Sequence, residues 1–207
     1  MWCVDGKLRI ARTMMSIISF VQRLTATLVV AVVGAQATLA APPVLTGRWG
    51  ESVVPAQLVP NYKSKKCQAL AVVSLSTSCP LARRIVPELN ALAGEFADAG
   101  IQFIGLFPNE VDDLQEIAEY AVVSELVFPV YRDDVDNPWY KALGLTVTPQ
   151  VVLLDVRTGY DPDKQIYRGQ TNGQWFGGGR SRQGSAYLSD AVKSFLANEP
   201  PPLAETA

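Results

Sequence analysis

Apolar side chains along this chain follow two spacings: continuous runs, which predict buried strands, and steps of three or four residues, which predict helices. The run at 69–76 (ALAVVSLS) is apolar and rich in β-branched residues, as is typical of a buried strand in a parallel sheet. The runs at 101–107 (IQFIGLF) and 150–156 (QVVLLDV) predict two further strands of this kind. Shorter extended segments are expected at 127–133 and 164–169.

Helical spacing lies between these runs. Apolar residues recur at three- and four-residue steps over 80–99, which predicts an amphipathic helix packed on one face of a sheet. Further helices are predicted at 112–123, 137–144 and 185–198. The helix at 112–123 begins with two aspartates, whose negative charge suits the positive end of a helix dipole.

The order of these elements predicts an α/β fold. Strand, helix, strand and helix, followed by a hairpin and a closing helix, build a mixed central sheet with helices on both faces. We expect one domain at 65–198, preceded by an irregular, proline-rich lead-in at 41–64. The proline-rich tail at 199–207 is expected to be disordered.

The first 40 residues have the composition of an export signal. Four basic residues precede a short apolar core at 28–33 (LVVAVV), and small residues follow, with cleavage expected near 37–41. The alternative is that this segment stays uncleaved as an N-terminal anchor. The sequence therefore predicts an exported protein, periplasmic or secreted, without stable membrane insertion once the signal is removed.

Charge and composition exclude several classes of function. Without residues 1–40, 14 basic residues remain against 19 acidic ones, a net charge of −5 that does not favour nucleic acid or an anionic membrane. The chain contains no histidine, which excludes a histidine-based triad and histidine-ligated zinc or haem. We expect neither a metal nor a cofactor.

The segment 72–90 (VVSLSTSCPLARRIVPELN) places Cys79 between the first buried strand and the helix that follows. A helix N-terminus favours negative charge, and the thiolate is the nucleophilic form of cysteine. Pro80 fits the first helical turn because its missing N–H is not needed there. Side chains placed to support a thiolate lie on both sides: Ser76, Thr77 and Ser78 before it, and Arg83 or Arg84 after it. The alternative is a half-buried cysteine that only packs.

Three segments, STSCPLARRIVPEL, LGLTVTPQVVLLD and YRG, together resemble the thioredoxin-like superfamily. They fit its redoxin branch (AhpC/TSA type), which includes exported thiol reductases and peroxiredoxins. The resemblance covers roughly residues 65–198 and implies a thioredoxin-like fold. It also implies that Pro149 follows a cis peptide bond and faces Cys79, so that Thr148 and Pro149 shape the pocket.

The cysteine motif departs from both of these groups. Ala82 stands where a C-x-x-C motif has its second cysteine, which dithiol exchange needs to release a mixed disulfide. Ser76 matches the peroxiredoxin pattern Pro-x-x-x-Thr/Ser-x-x-Cys, but Val72 occupies its proline position. The peroxiredoxin arginine is also missing from its usual place, and Arg132 or Arg168 is a candidate to replace it.

The expected function is that of an antioxidant thiol oxidoreductase with a single Cys-Pro active site. Cys79 attacks a peroxide or a protein disulfide, and an external thiol reductant restores it. The alternative is a non-catalytic envelope module that binds an extended peptide on the same fold. Cys67 is not expected to bridge to Cys79, since the strand at 69–76 separates them by roughly 26 Å.

Overall fold

The computed structural model describes residues 42–58, 67–108, 112–173 and 186–206. The predicted signal at 1–40 lies outside these residues, and its cleavage stays a prediction.

Seven strands form one sheet in the order β2-β1-β5-β4-β3-β6-β7. The strands are β1 Leu45–Gly47, β2 Ser52–Val53, β3 Ala69–Ser74, β4 Ile101–Phe107, β5 Val130–Arg132, β6 Gln150–Asp155 and β7 Gln165–Gly169. Strand β3 pairs in parallel with β4 and antiparallel with β6, so the sheet is mixed, as predicted. The fold class read from the sequence is confirmed.

The helices follow the predicted order with slightly shorter bounds. They are α1 Pro80–Phe96, α2 Leu114–Val123, α3 Pro138–Ala142 and α4 Tyr187–Leu196. Helix α1 begins with Pro80 in its first turn, where a missing N–H costs nothing. Helix α2 begins with a capping box, in which the Asp113 side chain accepts from the Glu116 N–H and the Glu116 side chain accepts from the Asp113 N–H.

The core lies on both faces of the sheet, because alternate side chains of a strand point to opposite sides. On one face, Val73 of β3 joins a cluster that contains buried residues of α1, α2 and α4. On the other face, Val72 joins a cluster that contains Trp139 of α3. All six residues of β3 are buried, which explains the continuous apolar run that predicted it. None of the helices in the described residues has the length and apolar character to span a membrane.

Two terminal segments differ from the sequence prediction. The lead-in at 41–64 was expected to be irregular, but its described part forms β1, β2 and a 3₁₀ helix, Pro55–Leu58. The tail was expected to be disordered, but Glu205 lies alongside Arg168 of β7 in a parallel bridge. The lead-in extends the sheet beyond β5, and the tail bridges to β7 at the other side. Because these partners exist only once the sheet is assembled, neither segment needs a strong periodic pattern of its own.

Candidate active site

Cys79 is the N-cap residue of α1 and has an extended backbone conformation (φ −83°, ψ 113°). The residue is half-buried, and its Sγ lies 3.5 Å from the carbonyl oxygen of Thr148, to which the thiol donates a hydrogen bond. The peptide bond between Thr148 and Pro149 is cis. The expectation that Pro149 follows a cis bond and faces Cys79 therefore agrees with the geometry. Residues 147–149, just before β6, are called the proline loop below.

The two loops meet because of strand register. Strand β6 pairs antiparallel with β3, and Ser74, the last residue of β3, lies opposite Gln150, the first residue of β6. The fully buried Ser74 hydroxyl donates to the Val147 carbonyl at 2.8 Å and accepts from the Gln150 N–H at 3.0 Å. Ser74 thus ties the proline loop to the strand that delivers Cys79. Sequence reasoning missed this role, since a serine inside an apolar run gives no sign of its partner.

Three of the residues predicted to support a thiolate, Ser76, Ser78 and Arg83, form hydrogen bonds within the loop that precedes Cys79. The hydroxyls of Ser76 and Ser78 lie 3.1 Å apart, within hydrogen-bond distance. Arg83 donates to the Thr77 carbonyl from Nε at 3.3 Å and from Nη2 at 3.0 Å. The structure brings these residues together next to Cys79, and within the described residues none of their hydrogen bonds reaches its sulfur. Their arrangement shapes the loop that precedes Cys79.

Asp112 belongs to the site, although its position at the start of α2 predicts only a charge for the helix dipole. Asp113 caps α2, whereas Asp112 turns inward and is only 3% exposed. Its Oδ1 accepts from the Thr77 N–H at 3.1 Å and also from the Thr77 hydroxyl. The only sequence signal was the doubled aspartate, of which one residue suffices for the cap.

Tyr120 lies beside Arg83, which bonds to Thr77. The guanidinium of Arg83 lies over its ring, 5.5 Å from the centroid, which is a cation–π contact. Burial raises the pKa of Tyr120 to about 12, and the positive charge of Arg83 partly opposes this rise. The phenol therefore stays neutral at physiological pH and does not act as a base there.

The described residues hold no second thiol near Cys79. Ala82, in the position of a resolving cysteine, lies on the core-facing side of α1 and is completely buried. Cys67 is also free, but it lies before β3 and packs in the cluster on the opposite face of the sheet. Burial raises the pKa of the Cys67 thiol, which keeps it in the unreactive protonated form.

A cavity of about 230 Å³ opens beside the proline loop. Its apolar lining comes from Leu81 and Ile85 of α1 and from Val147 and Pro149, and polar residues of the segment 169–172 line its other side. Pockets for drug-sized ligands measure about 300–1,000 Å³, so this volume fits a single side chain better than a separate small molecule. The cavity lies next to the Thr148 carbonyl that faces Cys79.

The two candidate replacements for the peroxiredoxin arginine have other surroundings. Arg168 forms an ion pair with Glu205 of the tail at 2.7 Å. Arg132 lies in β5, paired in register with Phe107 of β4 and Thr46 of β1. No hydrogen bond joins either guanidinium to Cys79 among the residues described, and the same residues contain no group of three side chains able to hold a metal ion.

Comparison of the sequence with protein-family models and with curated proteins gave no match. Among solved structures, the chain is similar to a hypothetical protein from Sinorhizobium meliloti, with a TM-score of 0.65 and 24% identity over 81% of this chain and 87% of that one. It is also similar to a putative thioredoxin from Neisseria meningitidis, with a TM-score of 0.54 and 18% identity over 76% and 90% of the two chains.

A third similar structure is a putative thiol:disulfide interchange protein DsbE from Chlorobium tepidum, with a TM-score of 0.54 and 17% identity over 75% of this chain and 94% of that one. Identities this low bear on the fold alone. Together with the mixed sheet and the cis-proline loop opposite a helix-capping cysteine, they show that this protein has a thioredoxin-like α/β fold.

Proposed function

We propose that this protein is an exported thiol oxidoreductase that uses Cys79 as its single nucleophile. The observation that carries the proposal is the position of the Cys79 sulfur, at the N-terminus of α1 and 3.5 Å from the carbonyl that precedes cis-Pro149. A helix N-terminus favours the negative charge of an attacking thiolate, and Cys79 is partly exposed to solvent.

The reaction balances as one thiol–disulfide exchange. The Cys79 thiolate attacks one sulfur of a disulfide, a new bond forms between Cys79 and that sulfur, and the other sulfur leaves as a thiolate. An external thiolate then attacks the mixed disulfide on the Cys79 side or the substrate side. Attack that releases Cys79 as a thiolate restores the protein and leaves the external thiol joined to the substrate sulfur.

An external thiol is required because no described cysteine can resolve the mixed disulfide. Ala82 replaces the second cysteine, and Cys67 is buried on the opposite face of the sheet. The partner is therefore a low-molecular-weight thiol or the thiol of another protein.

The geometry favours a disulfide on an extended polypeptide over a peroxide. Thr148 presents its backbone beside the sulfur, and its N–H donates to no group among the described residues, so an extended chain has an edge with which to pair. The neighbouring apolar cavity then accepts a side chain of that polypeptide. Among the described residues no arginine hydrogen-bonds the Cys79 sulfur, so the arginine of the peroxiredoxin pattern has no counterpart at this sulfur.

The test uses purified protein with Cys3→Ser and Cys67→Ser, in which Cys79 is the only thiol. Incubation with a disulfide-bonded peptide should give a mixed disulfide at Cys79, seen by intact mass, and reduced glutathione should then release it. We expect the mixed disulfide to form at least about tenfold faster than with an unstructured cysteine peptide.

Two controls separate the competing interpretations. A further Cys79→Ser substitution should remove the reaction and leave cooperative thermal unfolding unchanged, because the side chain is half-buried and caps the helix without a side-chain hydrogen bond. Faster oxidation by hydrogen peroxide than by the peptide disulfide would favour the peroxide reaction. Peptide binding without any acceleration of exchange would overturn the proposal and favour the non-catalytic peptide-binding module.

A further inference from the structure

Thr77, two residues before Cys79, is held by hydrogen bonds from two directions. Its N–H and its hydroxyl both donate to Oδ1 of Asp112, which is 35 residues away in sequence. Its carbonyl accepts from two nitrogens of Arg83, one turn into α1. A loop residue is thereby fixed by a carboxylate on one side and a guanidinium on the other.

Burying the Asp112 side chain beside Thr77 costs free energy. The side chain is 3% exposed, and its second carboxylate oxygen, Oδ2, is buried without a hydrogen-bond partner among the described residues. Buried polar atoms are nearly always paired, and an unpaired one costs free energy. Helix α2 does not need this residue, because the adjacent Asp113 already provides the capping box. The burial of Asp112 is therefore unexplained by the helix and points to the Thr77 loop.

The loop needs such support when Cys79 reacts. In the resting thiol, Sγ–H donates to the Thr148 carbonyl and helps to hold the sulfur in place. Deprotonation removes this donor and brings a negative sulfur next to the negative end of a carbonyl dipole. The hydrogen bond that locates the thiol therefore cannot locate the thiolate, and the loop from Ser76 to Cys79 must be held by other contacts.

We propose that Asp112 is a positioning residue for the reaction of Cys79. Its buried carboxylate, acting through Thr77, holds the loop so that the thiolate stays at the N-terminus of α1 beside the proline loop. Arg83 completes the arrangement from the carbonyl side. The part of this inference that concerns disulfide exchange rests on the function proposed above.

The test compares Asp112→Asn with the parent protein in the background where Cys79 is the only thiol. The uncharged amide is a weaker acceptor for the two Thr77 donors, so the Thr77 amide should exchange its hydrogen faster. We expect kcat for peptide-disulfide exchange, with glutathione as the external thiol, to fall about tenfold and KM to stay nearly unchanged. The substitution alters the geometry of attack and leaves the peptide cavity intact. Alkylation of Cys79 by iodoacetamide should slow by a similar factor.

Asp113→Asn is the matched control. It alters the adjacent carboxylate, which caps α2 and has no hydrogen bond to Thr77 among the described residues, and asparagine is itself a good N-cap. We expect its rates of exchange and alkylation to equal those of the parent. A second pair guards against misfolding of Asp112→Asn: Thr77→Val removes the hydroxyl donor and should slow both reactions, and Thr77→Ser should recover most of the lost rate.

The outcomes separate the two proposals. Unchanged kcat and alkylation in folded Asp112→Asn would overturn the role of Asp112, as would an equal loss in Asp113→Asn. If Asp112→Asn does not fold, equal rates in Thr77→Val and Thr77→Ser would overturn it. If the parent is alkylated rapidly but does not react with disulfides, the proposed function fails, and the alkylation rates still decide whether Asp112 positions Cys79.

Discussion

The carbonyl oxygen of Thr148 lies 3.5 Å from the sulfur of Cys79, although 69 residues separate them in sequence. The contact exists because β3 and β6 are antiparallel neighbours, so that the end of one strand meets the start of the other. Ser74 then joins the two by accepting from Gln150 and donating to Val147. The candidate site is therefore a product of sheet register.

Cys67 and Cys79 should not form a disulfide within one molecule. They lie at opposite ends of β3, whose six residues span about 20 Å at roughly 3.3 Å per residue, whereas a disulfide needs Cα atoms within about 7 Å. Mild peroxide treatment should leave the Cys67 thiol free and yield sulfenic acid, a mixed disulfide or an intermolecular dimer at Cys79. Intact mass and thiol counting measure this. A monomer two mass units lighter with a Cys67–Cys79 peptide crosslink would contradict it.

The cavity beside Pro149 should select an apolar side chain in the peptide substrate. Leu81→Asp places a charge in the apolar lining of the cavity. It should raise KM about tenfold for a peptide with leucine next to its cysteine, because the leucine side chain of the peptide would lose its apolar partner. Steady-state exchange rates give KM and kcat. Val122→Asp, at a position 66% exposed on α2, is the control and should leave KM unchanged. An equal effect of Leu81→Asp on a peptide with serine in place of leucine would argue against the cavity as the binding site.

Glu88→Gln should stabilise the protein at neutral pH. Burial raises the pKa of Glu88, and a hydrogen bond from Asn172 only partly opposes this rise. Because the folded protein then binds a proton more strongly than the unfolded chain, folding is favoured at low pH and this contribution is lost as pH rises through the folded pKa. The melting temperature of Glu88→Gln should therefore exceed that of wild type most at about pH 8, and the difference should shrink toward about pH 4. A difference that stays constant over this range would contradict the assignment.

Deletion of residues 199–207 should weaken the sheet edge at β7. The tail exchanges two backbone hydrogen bonds with Arg168, at 2.9 and 3.0 Å, and the Thr206 hydroxyl accepts from the Gln170 N–H at 2.8 Å. At about 0.5–1.5 kcal/mol for each bond, the free energy of unfolding should fall by about 2–4 kcal/mol in urea titrations. The uncovered edge should also increase self-association.

A single substitution separates the backbone bonds of the tail from its ion pair. Glu205→Gln removes the pair with Arg168, which is partly exposed, and should cost less than about 1 kcal/mol. A loss as large as that of the deletion would show that the ion pair, and not the strand-like pairing, holds the tail.

The sequence by itself determined the main elements and their order. Strand β3 is apolar from Ala69 to Val73 because both of its faces are covered, and such a run is recognisable without its partners. The amphipathic spacing of α1 and the position of Cys79 before Pro80 were likewise visible, because both depend on residues close together in the chain. The order of strands and helices then left few possible arrangements for the sheet.

Only the tertiary structure decided which side chains meet. Asp112 and Asp113 are adjacent and chemically identical, yet one caps α2 and the other is buried against Thr77. The tail carries no strand pattern, and its pairing depends on the exposed edge of β7. In each case the determining contact joins residues distant in sequence, and the energy of such a contact depends on burial and register that local patterns do not encode.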